Sequence, residues 1–176
     1  MADEIKTTDE EFLKDRVIFL EEEFNEKSCN KAKRQLLYLL GKDSNAPITI
    51  YISSFGGGVH DFLMLYGILK TVKCRVTTVA LGKCMSAGSY LLLCGDERLA
   101  YPTTRIMMHE LAYTGSYAKL HDKDISHKEA VELQKILNEL VSKKTKIKKP
   151  EEFLKEDKYL SLEDALKLEV ITKIIE

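Results

Sequence analysis

The sequence contains twice, in the same order, a strand pattern, a glycine-rich turn and a helix pattern. This repeated order limits the folds that the chain can adopt. Ile48–Ile52 is apolar and β-branched, as expected of a central strand, and Gly56-Gly57-Gly58 separates it from a helical pattern over 59–72. A second such strand, 75–80, is followed by a glycine-bounded turn, 82–88, and by an apolar helical segment. This alternation predicts an α/β fold with mostly parallel strand pairing.

The remaining pattern extends this scheme over the whole sequence. A polar N-terminal arm is predicted over residues 1–12, of which 1–10 are expected to be loose, ahead of a single domain over 13–176. A long amphipathic helix, about 123–144, carries an apolar stripe that either faces the chain's own core or meets another subunit. The other predicted elements are strands at 16–20, 97–101, 105–108 and 170–175 and helices at 25–40 and 162–168, the last with Ser161 and Asp164 at its N-cap.

Composition narrows the classes of function. The net charge of −1 gives no electrostatic reason to expect a nucleic-acid partner or an anionic membrane surface. The apolar stretches are too short to cross a membrane, and the polar start of the sequence does not resemble a secretory signal. The 4 cysteines are not arranged as Cys-x-x-Cys, so neither a metal site nor a redox motif is expected. We therefore expect free buried thiols in a cytoplasmic protein that needs no cofactor.

Two turns are candidates for a ligand-binding or catalytic site. Gly56-Gly57-Gly58 follows a strand and opens a helix, a placement that directs backbone N–H groups into a crevice. By itself the glycine run is compatible with a plain tight turn or, less well, with a phosphate-binding loop, since no Gly-Lys-Ser or Gly-Lys-Thr follows. Ser86, at the second turn, would by itself be interpreted as a helix cap, because an isolated serine is a weak nucleophile.

His109 and Asp157 alter this interpretation. His109 ends an apolar strand, where a histidine is costly unless it is hydrogen-bonded or has a function. Asp157 precedes the capped helix, where it is either a solvated charge or the partner of a histidine. With Ser86 these residues are the components of a serine acyl-transfer site. The other histidines are predicted to be surface or structural residues: His60, His121 and His127.

Five segments of the sequence resemble the ClpP family, the proteolytic subunits of the Clp protease. They occur in the family's order, and the resemblance runs from about residue 13 to residue 175. They are Lys14–Leu20, Ile50–Gly57, Gly82–Leu92, Pro102–His109 and Asp157–Ser161. Several such segments in one order are a more specific signal than any one of them.

The resemblance implies a crotonase-like fold of stacked β-β-α units, with the helix at 123–144 as a projecting handle. It implies a serine endopeptidase that acts on peptides or unfolded proteins, without a metal. It also implies a homo-oligomer of one or two heptameric rings that encloses the active sites, and a Clp-type ATPase partner. The implied site consists of Ser86 as nucleophile, His109 as general base, Asp157 as its orienting residue, and the backbone N–H groups of Gly57 and Ala87 as the oxyanion hole.

The sequence departs from the family pattern at four places. Phe55 stands where the family has proline, Glu110-Leu111 stands for Gln-Pro, and the turn over 95–98 is short. The polar residues before Arg16 do not match the family's hydrophobic axial-loop hairpin, so the ATPase partner is implied less directly than the peptidase. Three alternatives remain: a viral or prophage capsid-maturation protease of the same fold, a non-proteolytic crotonase-fold protein that binds acyl-CoA, and a non-catalytic ring subunit.

Overall fold

The computed structural model describes residues 2–112 and 122–176, in which helices pack against a seven-stranded mixed sheet. The strands are β1 (Val17–Leu20), β2 (Ile48–Ser54), β3 (Val76–Met85), β4 (Glu97–Ala100), β5 (Arg105–Met108), β6 (Lys158–Leu160) and β7 (Lys173–Ile174). The helices are α1 (Ala2–Lys14), α2 (Glu26–Lys42), α3 (Val59–Leu69), α4 (Ala87–Leu93), α5 (Asp122–Lys144), α6 (Pro150–Phe153) and α7 (Leu162–Lys167).

Parallel pairing dominates the sheet, as the alternation of strands and helices predicts. The order β1-β2-β3-β4-β7 is parallel throughout. β3 has two neighbours along one edge, because residues 77–80 pair with β4 and residues 83–85 pair with β5. β6 is antiparallel to β5. The ends of β3 and β5 and the start of β6 therefore meet at one end of the sheet.

β3 is longer than the sequence pattern predicts. The strand predicted over 75–80 continues through Gly82 to Met85, so the prediction of a turn beginning at Gly82 was wrong. Gly82 has φ 68, which glycine adopts without the steric penalty of a side chain. Ile52 pairs with Ala80 and Ser54 with Cys84, so β3 carries a bulge at this point. Because of the bulge, β3 continues to Met85, and the turn into the next helix begins at Ser86.

The hydrophobic core lies between the sheet and the helices. α4 is buried along its entire length, and α2 buries one face at helical spacing. Asn25 caps α2 by accepting from the N–H of Ser28, and Ser161 caps α7 by accepting from the N–H of Asp164, as the sequence predicts for α7. Because α4 is enclosed by the core, the residue at its N-terminus is held in a fixed position.

The predicted apolar stripe of helix α5 packs mainly on the chain's own core, and other apolar side chains of the helix are exposed. Leu137, Leu140 and Val141, in its C-terminal half, are buried in the chain's own core. Ile125 and Val131, nearer its N-terminus, are 66% and 40% exposed. The first half of the predicted handle therefore presents apolar side chains to solvent, while the second half anchors it.

The N-terminal segment differs from its prediction. Residues 2–14 form α1, so the prediction of a loose arm over 1–10 was wrong. The rings of Phe12 and Phe19 make an edge contact with centroids 4.9 Å apart, and Lys31 pairs with Asp9 at 2.5 Å. These contacts with β1 and α2 could not be predicted from the segment's largely polar composition. The division into 1–12 and 13–176 stays a prediction.

The C-terminal elements are also corrected in part. The strand predicted over 170–175 is reduced to β7, because the N–H groups of Val170 and Ile171 donate to the carbonyl of Ala165 instead of to a strand. The short elements α6 and β6 are absent from the sequence prediction. No helix in the described ranges is long and apolar enough to cross a membrane.

Candidate active site

Ser86 occupies a strained turn between β3 and α4. Its φ of 51° and ψ of −123° are unusual for a residue with a side chain. Its N–H donates to the carbonyl of Met107 at 2.9 Å, and its carbonyl accepts from the N–H groups of Ser89 and Tyr90. Although Ser86 lies at the N-cap position, its side chain makes no capping hydrogen bond. The turn instead presents the hydroxyl at the end of the sheet.

His109 is the hydrogen-bond partner of the Ser86 hydroxyl. Its Nε2 lies 2.8 Å from Ser86 Oγ, which is hydrogen-bond distance, and its side chain is 19% exposed. β5 pairs with β3 in the register Met107 to Met85, so the residues that follow both strands become neighbours. The Tyr90 hydroxyl donates to the His109 carbonyl at 2.6 Å and fixes the backbone there.

Asp157 reaches the histidine through the ladder between β5 and β6. Met108 pairs with Lys158, so Asp157 lies one position farther along, beside His109. Asp157 Oδ1 is 4.0 Å from His109 Nδ1, and the Asp157 side chain is 65% exposed. This separation is longer than a hydrogen bond but within ion-pair range for a protonated imidazole. The carboxylate is therefore next to the histidine without being bonded to it.

The glycine run packs directly against the Ser86 turn. Gly56 and Gly57 have φ values of 108° and 140°, which favour glycine. A Cβ on Gly56 would lie 2.5 Å from Ser86 Cβ, and a Cβ on Gly57 would overlap the backbone of Phe24. The run is therefore neither a plain exposed turn nor a loop with space around each glycine.

The same segment leaves two N–H groups available. Phe24 donates to the carbonyl of Gly56 and accepts from the N–H of Gly58, which brackets Gly57. Neither Gly57 nor Ala87 donates a backbone hydrogen bond within residues 2–112 and 122–176. Ala87 is the first residue of α4, where the N–H has no partner inside the helix. Both residues line the same cleft as Ser86.

That cleft has a volume of about 260 Å³ and combines apolar and polar walls. Its apolar wall comes from three helices: Val59 and Phe62 of α3, Tyr90 of α4 and Leu137 of α5. Its other described lining residues are Gly57, Gly58, Ser86, Ala87, His109, Glu110, Leu111 and Ala112. A chain bound in this cleft would lie against the serine, the histidine and both N–H groups.

The sequence departures noted at this site have structural consequences. Phe55 is 68% exposed, with Lys83 Nζ 4.3 Å from its ring centroid. Leu111, unlike a proline, has an N–H, and it donates to Gln134 Oε1 on α5 at 2.6 Å. The contribution of Gln134 gives no signal in the sequence, since a glutamine on an amphipathic helix is ordinary.

The remaining chemically active side chains lie elsewhere. His60 and His127 are exposed, as predicted, and His121 lies outside the described residues. The 4 cysteines are free and buried, and burial raises the pKa of the Cys94 thiol to about 12. Among the described residues, no group of three or more His, Cys, Asp or Glu side chains is arranged to hold a metal ion.

Five residues are expected from the sequence to form one site, and in the structure all five lie in one cleft or at its edge. They are Ser86, His109, Asp157, Gly57 and Ala87. The family model described as Clp protease matches residues 2–176. The match includes α1 and every strand of the sheet. The mixed α/β architecture is that of the crotonase-like fold which the resemblance implies, and family membership supports a peptidase. The chain therefore belongs to the Clp protease family.

Proposed function

We propose that this protein is a serine endopeptidase that hydrolyses peptide bonds through acylation of Ser86. The observation that carries the proposal is the 2.8 Å contact between His109 Nε2 and Ser86 Oγ. A serine without a neighbouring base is a poor nucleophile, and a histidine at this distance can take its proton. The hydroxyl makes this contact instead of capping α4, which argues against a purely structural serine.

The steps follow from the positions of the groups. Ser86 Oγ attacks the scissile carbonyl while His109 Nε2 takes the hydroxyl proton. The N–H groups of Gly57 and Ala87 stabilise the negative oxygen of the tetrahedral intermediate. His109 then gives the proton to the leaving amine, and a water molecule hydrolyses the acyl-enzyme by the same route. The carboxylate of Asp157, 4.0 Å from Nδ1, stabilises the positive charge that His109 acquires during these steps.

Self-association is part of the proposal. Large apolar side chains are exposed on α5 and on the outer side of α2, among them Ile125, Leu37 and Tyr38. Exposed apolar patches of this kind mark contact surfaces. We propose that the chain forms a homo-oligomer, as heptameric rings, which encloses the clefts and admits only peptides or unfolded chains. A Clp-type ATPase partner and a cytoplasmic location complete the proposal, and the free thiols favour that location.

Hydrolysis of a defined polypeptide tests this function. Wild type, Ser86→Ala and Ser142→Ala are incubated with an unstructured polypeptide in H₂¹⁸O, and the products are analysed by mass spectrometry. Ser142 is an exposed serine of α5 and serves as the matched control. We expect new carboxyl termini carrying ¹⁸O with wild type and Ser142→Ala, and none with Ser86→Ala. Light scattering checks that all three proteins have the same oligomeric state. Equal cleavage by Ser86→Ala would overturn the proposal.

A further inference from the structure

Glu110 is held at the mouth of the cleft by its backbone. Its N–H donates to the carbonyl of Leu154 at 2.7 Å, and the next residue, Leu111, donates to Gln134. On its other side, the His109 carbonyl accepts from the Tyr90 hydroxyl. The segment that carries Glu110 is therefore fixed from α4, α5 and the end of α6, and Glu110 cannot move independently of His109.

The charge of Glu110 acts inside the cleft. Burial, and after it the charge of Glu110, raises the pKa of the Tyr90 phenol. Tyr90 is a wall of the cleft, so the carboxylate is close enough to influence a group that a bound chain would touch. Glu110 itself is exposed and lines the cleft between His109 and Leu111.

In the part of the chain that the structure describes, no cation pairs with this carboxylate. Within the described residues, Glu110 forms no side-chain hydrogen bond or ion pair. The described lining of the cleft contains no lysine or arginine. The nearby Lys158 is paired with Glu156 at 3.0 Å. Within this described lining, a substrate side chain that enters the cleft meets an apolar wall and the carboxylate of Glu110 at its mouth.

We propose that Glu110 is a specificity-determining residue that favours a lysine or arginine as the residue supplying the acyl group. The side chain of that residue lies closest to Ser86 once the acyl-enzyme forms. The methylene stem of a lysine can pack on Phe62 and Leu137, and its ammonium can reach the carboxylate at the mouth. An acidic side chain in the same position is repelled. This inference rests on the proposed peptidase function.

The test compares three peptides that differ only at the acyl-group residue: lysine, norleucine and glutamate. Norleucine retains the apolar stem of lysine without its charge. For wild type we expect kcat/KM to be about three- to fivefold higher for lysine than for norleucine, the scale of a solvent-exposed ion pair. The glutamate peptide is expected to be the poorest of the three. Because each ratio is measured on one enzyme, differences in folding or active fraction cancel.

Two variants and one change of conditions isolate Glu110. In Glu110→Gln the preference for lysine over norleucine is expected to disappear, whereas Glu163→Gln, which alters an exposed carboxylate of α7 outside the described lining of the cleft, is expected to keep it. High salt is expected to reduce the wild-type ratio, because screening weakens exposed pairs. A lysine preference that persists in Glu110→Gln, or a wild type without any preference, would overturn the inference.

The failure of this inference can be distinguished from failure of the proposed function. Each protein is first treated with a fluorophosphonate probe and weighed intact. Labelled, peptide-cleaving wild type without a charge preference contradicts only the role of Glu110. Wild type that is neither labelled nor active on any of the three peptides contradicts the peptidase function and, with it, the specificity that rests on it.

Discussion

Asp157 lies beside His109 because β6 pairs with β5 in antiparallel register, and its Oδ1 stops 4.0 Å from the histidine Nδ1. The carboxylate belongs to a strand edge that solvent reaches, with 65% of the side chain exposed. An exposed charge at this distance stabilises an imidazolium through a screened interaction instead of a buried hydrogen bond. The contribution of Asp157 to the site should therefore be moderate.

Replacing Asp157 by asparagine measures this contribution. We expect kcat/KM for a peptide substrate to fall by about 10- to 100-fold, well below the roughly 10⁴-fold effect of removing a buried, hydrogen-bonded triad aspartate. The matched control is Glu156→Gln, since Glu156 is the preceding exposed carboxylate and pairs with Lys158 on the surface. A loss near 10⁴-fold, or none at all, would contradict the geometry described for Asp157.

Gly56 is expected to accept no side chain. In Gly56→Ala the new Cβ would lie 2.5 Å from Ser86 Cβ, at a φ of 108° that disfavours alanine. We expect both a loss of peptide cleavage and a loss of about 1–3 kcal/mol in the free energy of unfolding. Urea unfolding at fixed protein concentration measures the second effect.

The control for this substitution lies on α3. A Cβ at Gly67 meets nothing within 4 Å, and alanine is the better helix former. Gly67→Ala should therefore leave cleavage intact and raise the free energy of unfolding by about 0.5–1 kcal/mol. If both alanine variants behaved alike, the close approach of the glycine run to the nucleophile turn would be wrong.

Arg98 is expected to be the most important buried charge for stability among the described residues. Its guanidinium is nearly enclosed and donates to the carbonyls of Gly95, Lys144, Glu169 and Val170. Burial lowers the pKa of this group, and the negative charges of Glu169 and Asp96 offset the effect of burial in part.

Arg98→Met removes a donor from all four carbonyls, of which that of Gly95 keeps the Lys144 ammonium at 3.3 Å. We therefore expect a loss of about 3 kcal/mol or more in the free energy of unfolding. Arg75→Met is the comparison, because Arg75 is exposed and pairs with Glu97 on the surface. That variant should lose about 1 kcal/mol at most. Urea midpoints for the two variants should differ clearly, and equal midpoints would contradict the role given to Arg98.

Because the thiols of Cys84 and Cys94 are buried, we expect the free energy of unfolding to fall at alkaline pH. Burial raises the pKa of Cys94 from the ordinary 9.0 to about 12, and burial also raises the pKa of Cys84. The unfolded thiols lose their protons at a pH where the folded thiols keep them, so unfolding is favoured increasingly as the pH rises. The stabilisation is complete below pH 9 and is lost between about pH 9 and 12.

Urea unfolding at several pH values from 8 to about 11 tests this decline. The free energy of unfolding of wild type should fall over that interval. Cys94→Ala should start lower, because a cavity replaces the sulfur, but should fall less steeply. Parallel curves for the two proteins would show that Cys94 does not titrate differently in the folded and unfolded states.

Local patterns in the sequence predict the elements that surround the site. The β-branched run at Ile48–Ile52 predicts strand β2, and the helical spacing of apolar residues predicts α2 and α5. These predictions succeed because the spacing of the residues on a buried face differs between a strand and a helix. Ser161 was likewise identifiable as a cap from its own neighbourhood.

Other features depend on contacts between distant residues, which no local pattern records. The pairing of Ile52 with Ala80 and of Ser54 with Cys84 lets β3 continue through Gly82. β6 has only three residues and exists because β5 supplies its partner. α1 looks polar in sequence, yet Phe12 anchors it on β1. The position of Asp157 was therefore inferred by resemblance, while its distance from His109 required the register of β5 and β6.

Intact-mass analysis after treatment with a fluorophosphonate tests whether the serine at position 86 is activated. Wild type, Ser86→Ala and Ser142→Ala are treated in parallel under identical conditions. The 2.8 Å contact with His109 predicts a single adduct on wild type and on Ser142→Ala, and none on Ser86→Ala. An unlabelled wild type, or an adduct that persists in Ser86→Ala, would contradict the account.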